Sequence, residues 1–148
     1  MKPDVDRTLQ LLSETLMFDL APKLRDGYAQ STAQVVAMLL TAATEEWDRA
    51  AQRRFDENAA IRALFREALD LVAEPALRSD LETGLKTSDA SIRITELERE
   101  NSELRRVLVR LHAHVEELEG EAARSLEEGI WAELLESTVR RKISIAPF

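Results

Sequence analysis

The chain contains no cysteine among its 148 residues. This absence excludes structural disulfides, thiol nucleophiles and zinc sites built on cysteine. The chain also has only four glycines and four prolines, which leaves little material for the many turns of an all-β fold. Leu, Ala, Glu and Arg, which favour helices, are abundant instead. The composition therefore predicts an all-α fold.

Positive charge is also scarce, because 20 Lys and Arg stand against 28 Asp and Glu, a net charge of −8. A nucleic-acid or anionic-membrane binder needs a basic surface that displaces counterions, so we expect neither partner. The longest apolar stretch, residues 35–43, is shorter than the roughly 20 residues of a membrane span. No basic start followed by an apolar run marks a signal peptide. We therefore expect a cytoplasmic protein.

The most regular pattern is an a/d heptad repeat in the second half of the chain. All four d positions are leucine, and the only polar a position is Asn101. This pattern is typical of a coiled-coil helix, which we predict over residues 89–119. The eight positions of this seam are Ile94, Leu97, Asn101, Leu104, Leu108, Leu111, Val115 and Leu118.

A parallel dimer is one arrangement that fits the seam. Residues at the flanks would then pair across the dimer, Arg93 with Glu98 and Glu100 with Arg105, without repulsion. Asn101 would meet its own copy and fix the register of the two helices. The pattern thus predicts a homodimer or a helical protein partner.

An intramolecular bundle is the second arrangement, because helices of one chain use the same stripe. Val107 and Val109 favour it, since they widen the apolar face in mid-helix. A DNA-binding zipper is disfavoured, because it needs a continuous basic helix upstream of the repeat. Residues 78–86 carry mixed charge and a glycine instead.

The N-terminal half, residues 1–73, is predicted to be helical throughout. Apolar residues at steps of three and four predict a first helix that ends or kinks at Pro22. Ser31 and Gln34 form a capping-box pattern that predicts the next helix start. Residues 31–73 then form either one helix or two helices that break near 56–58, where polar residues compete for backbone hydrogen bonds.

The C-terminal half adds a short helix that begins at Pro75, the coiled-coil helix and a final helix over residues 125–142. Ser125 and Glu128 form the capping-box pattern of that final helix, and a short extended tail follows it. Charge is distributed evenly along the chain. We therefore predict a single domain, residues 1–148.

Groups that could carry chemistry are few. His112 and His114 are two residues apart and point about 200° apart on a helix, so they cannot chelate one metal. We expect no metal and no other cofactor. Glu46, Trp47 and Arg49 form the densest polar cluster beside a large aromatic and define a speculative pocket. The simpler interpretation is a solvated helix face with Trp47 in the core.

A leucine-rich opening helix, a Leu-x-Pro turn and an alanine-containing second helix with a glutamate-rich centre follow one another in the first 70 residues. They are Leu11-Leu12, Leu20-Ala21-Pro22 and the segment from Ala33 to Glu46. This arrangement resembles a family of small bacterial helical proteins without an assigned activity. Its members are typically encoded beside aminoglycoside-phosphotransferase-like kinases and acyl-CoA dehydrogenases. The resemblance implies an accessory role in acyl-CoA-type metabolism and implies no functional residue.

Taken together, the residues predict a non-catalytic helical bundle that self-associates or binds a helical partner through the seam. The matched flanks and the lack of a catalytic pattern support this prediction. The alternative is a small-molecule-binding or enzymatic bundle with a pocket near Trp47.

Overall fold

A computed structural model describes residues 4–144, and these form five α-helices and no strand, which confirms the all-α prediction. The first helix, Val5–Glu14, continues through a π-helical segment, Thr15–Leu20, and a 3₁₀ turn, Ala21–Lys23. The helices are α1 Val5–Glu14, α2 Gly27–Ala68, α3 Pro75–Lys86, α4 Ile94–Val115 and α5 Glu121–Arg140. Within the described range, no helix combines the length and apolarity needed to cross a bilayer. Most of the predicted extended tail, residues 145–148, lies outside the described residues.

The chain, which we predicted as a single domain, contains two compact units. The hairpin unit comprises the residues up to Ala50 and those from Lys142 onward. The core unit is Ala51–Arg141. The helix α2 belongs to both, because its first part lies in the hairpin unit and its second part in the core unit.

The predicted start of α2 at Ser31 is wrong by four residues. The helix begins at Gly27, where Asp26 Oδ2 accepts a hydrogen bond from the backbone N–H of Ala29 at 3.0 Å. A carboxylate in this position satisfies an amide that has no partner within the helix. The helix is then continuous to Ala68, so the single-helix alternative is correct.

The predicted start of α5 at Ser125 is also wrong. The helix begins at Glu121, directly after Gly120, whose φ of +114° is a conformation that favours glycine. Gly120 therefore separates α4 from α5, and Ser125 lies one turn inside the helix. The helix α3 begins at Pro75, as predicted.

The hydrophobic core lies in the core unit. One face of α4 packs against the second part of α2, against α3 and against α5, which buries the large apolar side chains of all four helices. The central members are Ile61, Phe65, Leu77, Leu81, Leu104, Leu108, Leu111, Val115, Leu126 and Ile130. The core unit is therefore a helical bundle.

Candidate association surface

The predicted seam of α4 lies inside its own chain. Its buried members are Leu97, Asn101, Leu104, Leu108, Leu111 and Val115. Leu118 is half-buried, and only Ile94, 39% exposed, lies at the surface. The intermolecular use of this seam is therefore replaced by the intramolecular alternative, because the core of the same chain already covers it.

The flanks of the seam also find partners within the core unit. Glu98 pairs with Arg54, Glu100 pairs with Arg62 at 3.1 Å, and Arg105 pairs with Glu57 at 3.4 Å. All three partners lie on α2. The charges that would have matched a second α4 helix thus fix α4 against α2.

Val107 and Val109 have different environments. Val107 is buried in the core, as the bundle alternative predicted, whereas Val109 is 69% exposed. The apolar face of α4 is therefore wider than a two-stranded seam on one side only.

A fully buried carboxylate, Glu57, lies at the centre of a polar network. Arg141 donates two hydrogen bonds to it, at 3.0 and 2.8 Å, and Asn101 Nδ2 donates another at 3.2 Å. Arg54 and Arg105 lie 3.8 and 3.4 Å away. Burial alone would raise the pKa of Glu57, but the hydrogen bonds and charge of Arg141 and the charges of the other arginines lower it.

A second cluster continues the network through Asn58. Its amide donates to Asp89 Oδ1 at 2.7 Å, and Asp89 pairs with the buried guanidinium of Arg62, also at 2.7 Å. Arg62 further contacts the carbonyl of Gly84 and the hydroxyl of Thr87. These groups bind one another across α2, α3 and α4, which is the role of a structural network.

Glu133 of α5 has the opposite electrostatic environment from Glu57. Burial raises the pKa of Glu133, and the negative charge of Glu57 adds to this effect. Arg140, which contacts the carboxylate, offsets the increase only in part. Two glutamates of the core unit thus have pKa values displaced in opposite directions.

In the hairpin unit, α1 runs back along the first part of α2. The buried hydroxyl of Ser13 donates to the carbonyl of Ala37 at 2.7 Å and lies 2.8 Å from Thr41 Oγ1. Small side chains at this contact allow the two helices to approach closely. The contact also determines which faces of the two helices point outward.

One outward side of the hairpin unit is apolar along both helices. Positions 5, 9, 12 and 16 on the first helical segment and 36, 40, 43 and 47 on α2 have the same 4-3-4 spacing. At 100° per residue both stripes lie on one side of the Ser13–Ala37 contact. This hairpin face comprises Val5, Leu9, Leu12, Leu16, Val36, Leu39, Leu40, Ala43 and Trp47.

The hairpin unit buries no large side chain among its described residues. Its buried residues are Ser13, Ala21, Ala37 and Ala50. By contrast, Leu12 is 52% exposed, Leu39 62% and Trp47 54%. Exposed apolar faces of this kind are typical of interaction sites.

The opposite side of the hairpin unit contains an open cavity of about 330 Å³. Its lining comprises Gln10, Ser13, Glu14, Met17, Phe18, Thr41, Thr44 and Glu45. The π-helical segment supplies Met17 and Phe18. The volume is at the lower end of the range found for small-molecule sites.

The residues predicted to form a pocket near Trp47 do not line this cavity. Trp47 is half-exposed on the hairpin face instead of anchoring a core. Arg49 pairs with Glu45 and donates to the backbone carbonyl of Lys142 at 3.3 Å. Glu46 lies beside Trp47 at the edge of the hairpin face.

Comparison with protein-family models, with curated proteins and with solved structures finds no match for this chain. The resemblance of the N-terminal half to a family of helical bacterial proteins therefore stays an expectation from the residues alone.

Proposed function

We propose that this protein is a non-catalytic association module, in which the hairpin face pairs with the same face of a second copy. The observation that carries the proposal is the exposure of two apolar stripes, with equal spacing, on one side of a hairpin that buries only small residues. Two such hairpins, each with two antiparallel helical segments, would together form a four-helix bundle. The proposed partner is a second copy of this chain, which is one of the two partners expected from the sequence, and the proposed surface differs from the predicted seam.

The spacing of the apolar residues in the two stripes supports a second copy of the chain as the partner. Helices of four-helix bundles meet through positions that repeat every three and four residues, as both stripes do. A two-fold axis would place the hairpin face of one copy against the same face of the other, which makes the interface self-complementary. Covering Leu12, Val36 and Trp47 would remove apolar surface from water, and this is the main favourable contribution to association.

The charges around the hairpin face also support self-association. The protein has a net charge of −8, so most surfaces of two copies repel each other. The uncharged residues Thr8 and Thr15 lie next to the stripe of the first helix, whereas the charged Glu46 lies at the edge of the hairpin face. The residues of the two stripes carry no charge, which removes one source of like-charge repulsion at this face.

The association is tested with a pair of matched substitutions. Leu11 and Leu12 are each 52% exposed on α1, but only Leu12 lies on the hairpin face. Leu12→Glu should weaken the dimer by about 100-fold or more, because each dimer loses two buried leucines of roughly 2 kcal/mol each. Leu11→Glu should leave it unchanged. Sedimentation equilibrium and light scattering measure both, with circular dichroism as the check on folding.

Two results would refute the proposed dimer. A wild-type protein that stays monomeric at about 100 μM would exclude an association of useful strength. Equal effects of Leu11→Glu and Leu12→Glu would show that charge alone, and not the hairpin face, controls assembly. Val109→Glu provides a further control, since this exposed residue of α4 lies outside the proposed interface.

A second candidate function is the binding of a small amphipathic molecule in the cavity between Gln10 and Glu45. The volume of about 330 Å³ and the combination of Met17 and Phe18 with hydroxyl and carboxylate groups favour it. A ligand found by thermal-shift screening should stabilise the wild type by mass action and should lose its effect in Thr44→Phe, which fills the cavity. Because the cavity lies opposite the hairpin face, this substitution should leave association intact.

A further inference from the structure

Three potential metal ligands converge between α4 and α5 in the core unit. His112 lies in the last turn of α4 and Glu116 directly follows that helix, with His112 Nε2 and Glu116 Oε1 at 3.6 Å. Glu127 reaches them from α5, so that one ligand atom from each residue lies within 4.8 Å of the other two. This juxtaposition is independent of the hairpin unit.

The imidazole of His112 is held in place but lacks a hydrogen bond at one nitrogen. The indole ring of Trp131 packs edge-on against it, with ring centroids 5.0 Å apart and an interplanar angle of 86°. The Nε2 atom is buried and has no hydrogen-bond partner among the described residues. A buried polar atom without a partner is costly, and coordination of a cation would satisfy it.

We propose that His112, Glu116 and Glu127 form a binding site for a first-row divalent transition metal such as Zn²⁺. One imidazole and two carboxylates suit these ions, whereas Mg²⁺ and Ca²⁺ prefer oxygen ligands alone. The sequence alone does not predict this set, because Glu127 is distant in sequence and joins the other two residues only through the packing of α5 against α4.

The geometry needs only small side-chain adjustments. Ligand atoms about 2.0–2.2 Å from a tetrahedral ion lie about 3.3–3.6 Å from one another, and His112 and Glu116 are 3.6 Å apart. The Glu116 side chain is 54% exposed, so it can rotate and gives the ion a route from solvent. Three protein ligands leave the fourth position to water or to another small ligand.

Metal binding would connect α4 to α5 across the turn at Gly120. Because the ligands come together only in the folded chain, the ion should stabilise the core unit by mass action. Neither the hairpin face nor the cavity contributes a ligand. Failure of the dimer and failure of the metal site can therefore be distinguished.

The test titrates Zn²⁺ alone into protein that has been treated with a chelator, by calorimetry and by thermal unfolding. The wild type should bind one ion per chain and show a higher melting temperature. His112→Gln and Glu127→Gln should each weaken binding by at least about 10-fold. Glu117→Gln and Glu128→Gln, which remove the exposed carboxylates next in sequence to Glu116 and Glu127, should bind as the wild type does.

A second measurement uses the contact between His112 and Trp131. In a Trp47→Phe background Trp131 is the only tryptophan, and Ni²⁺ bound at the proposed site should quench its fluorescence. The proposal is overturned if Zn²⁺ does not bind at about 1 mM, if His112→Gln binds as tightly as the wild type, or if Mg²⁺ has the same effect at equal concentration. Far-UV circular dichroism shows whether each variant is folded.

Discussion

Asn101 of α4 donates a hydrogen bond from its side-chain amide to Asn58 Oδ1 of α2 at 2.9 Å. The polar residue of an otherwise leucine-rich seam thus finds its match within the same chain. The same amide also reaches Glu57 at 3.2 Å. Asn101 therefore fixes how α4 is placed along α2, whereas in a parallel dimer it would have paired with its own copy.

Replacing Asn101 tests this intramolecular role. Asn101→Leu should reduce the free energy of unfolding by about 2 kcal/mol, because Asn58 and Glu57 lose a buried partner. The oligomeric state should not change, since the seam faces the core of its own chain. Urea denaturation and light scattering measure the two effects. Ser102→Ala, at the exposed neighbouring position, is the control, and a change of oligomeric state in Asn101→Leu would contradict the prediction.

Among the charged residues of the core unit, we expect replacement of Glu57 to reduce the free energy of unfolding the most. Glu57→Gln should destabilise the protein by about 3 kcal/mol at neutral pH, because Arg141 and Arg105 lose their buried counter-charge. Glu67→Gln, on the same helix but exposed, should change the stability by less than about 0.5 kcal/mol. Equal effects of the two substitutions in chemical denaturation would show that Glu57 contributes no more than a surface charge.

The displaced pKa of Glu57 predicts a dependence of stability on pH. Because the folded state lowers the pKa of Glu57, its contribution is present above an ordinary glutamate pKa of about 4.3 and is lost as the pH falls further. The free energy of unfolding should therefore decrease below about pH 4.3, and Glu57→Gln should make this decrease shallower. A decrease that is equally steep in the variant would assign it to other carboxylates.

The raised pKa of Glu133 predicts the opposite change: its effect on the free energy of unfolding becomes more favourable as the pH falls, in the range just above that of Glu57. The folded state raises its pKa, so ionised Glu133 opposes folding, and this effect is relieved as the pH falls from neutral toward about 4.3. Glu133→Gln should abolish that gain. Unfolding curves collected in half-unit steps of pH compare this variant with the wild type, and identical slopes would contradict the predicted sign.

A pair of glycines tests the packing of α3. A Cβ atom at Gly84 would lie 2.9 Å from Phe65 and 3.2 Å from Leu104, whereas one at Gly27 would meet no atom within 4 Å. Gly84→Ala should therefore destabilise the protein by about 1–3 kcal/mol through overpacking. Gly27→Ala should be neutral or stabilising by up to about 1 kcal/mol, because alanine favours a helix. Thermal and urea unfolding of both variants measure the contrast.

The positions of most helices were predictable, because the apolar periodicity and the prolines at 22 and 75 reflect the conformational preferences of the local sequence. Helix starts were less predictable. The capping-box pattern at Ser31 and Gln34 also occurs inside helices, and the true start depends on Asp26. The start of α5 depends on the positive φ of Gly120. The sequence does not show which of several isolated glycines adopts such a conformation.

The candidate sites depend on contacts that the sequence does not encode locally. The apolar stripes of the hairpin face were visible as patterns, but a stripe looks the same whether it is covered or exposed. Glu57 and Arg141 are 84 residues apart, so their pairing follows only from the packed bundle. The same holds for Glu127, which joins His112 across two helices.

The distance in sequence between Glu57 and Arg141 has a consequence for biosynthesis. A ribosome releases the N-terminal part of a chain first, so the carboxylate of Glu57 emerges well before the guanidinium that completes its environment. Until Arg141 is present, burial of the Glu57 carboxylate lacks one of its main counter-charges and is less favourable. The part of α2 around Glu57 is then expected to stay exposed to solvent. Arg141, which directly follows α5, therefore completes the surroundings of Glu57 only after the whole of α5 has been synthesised.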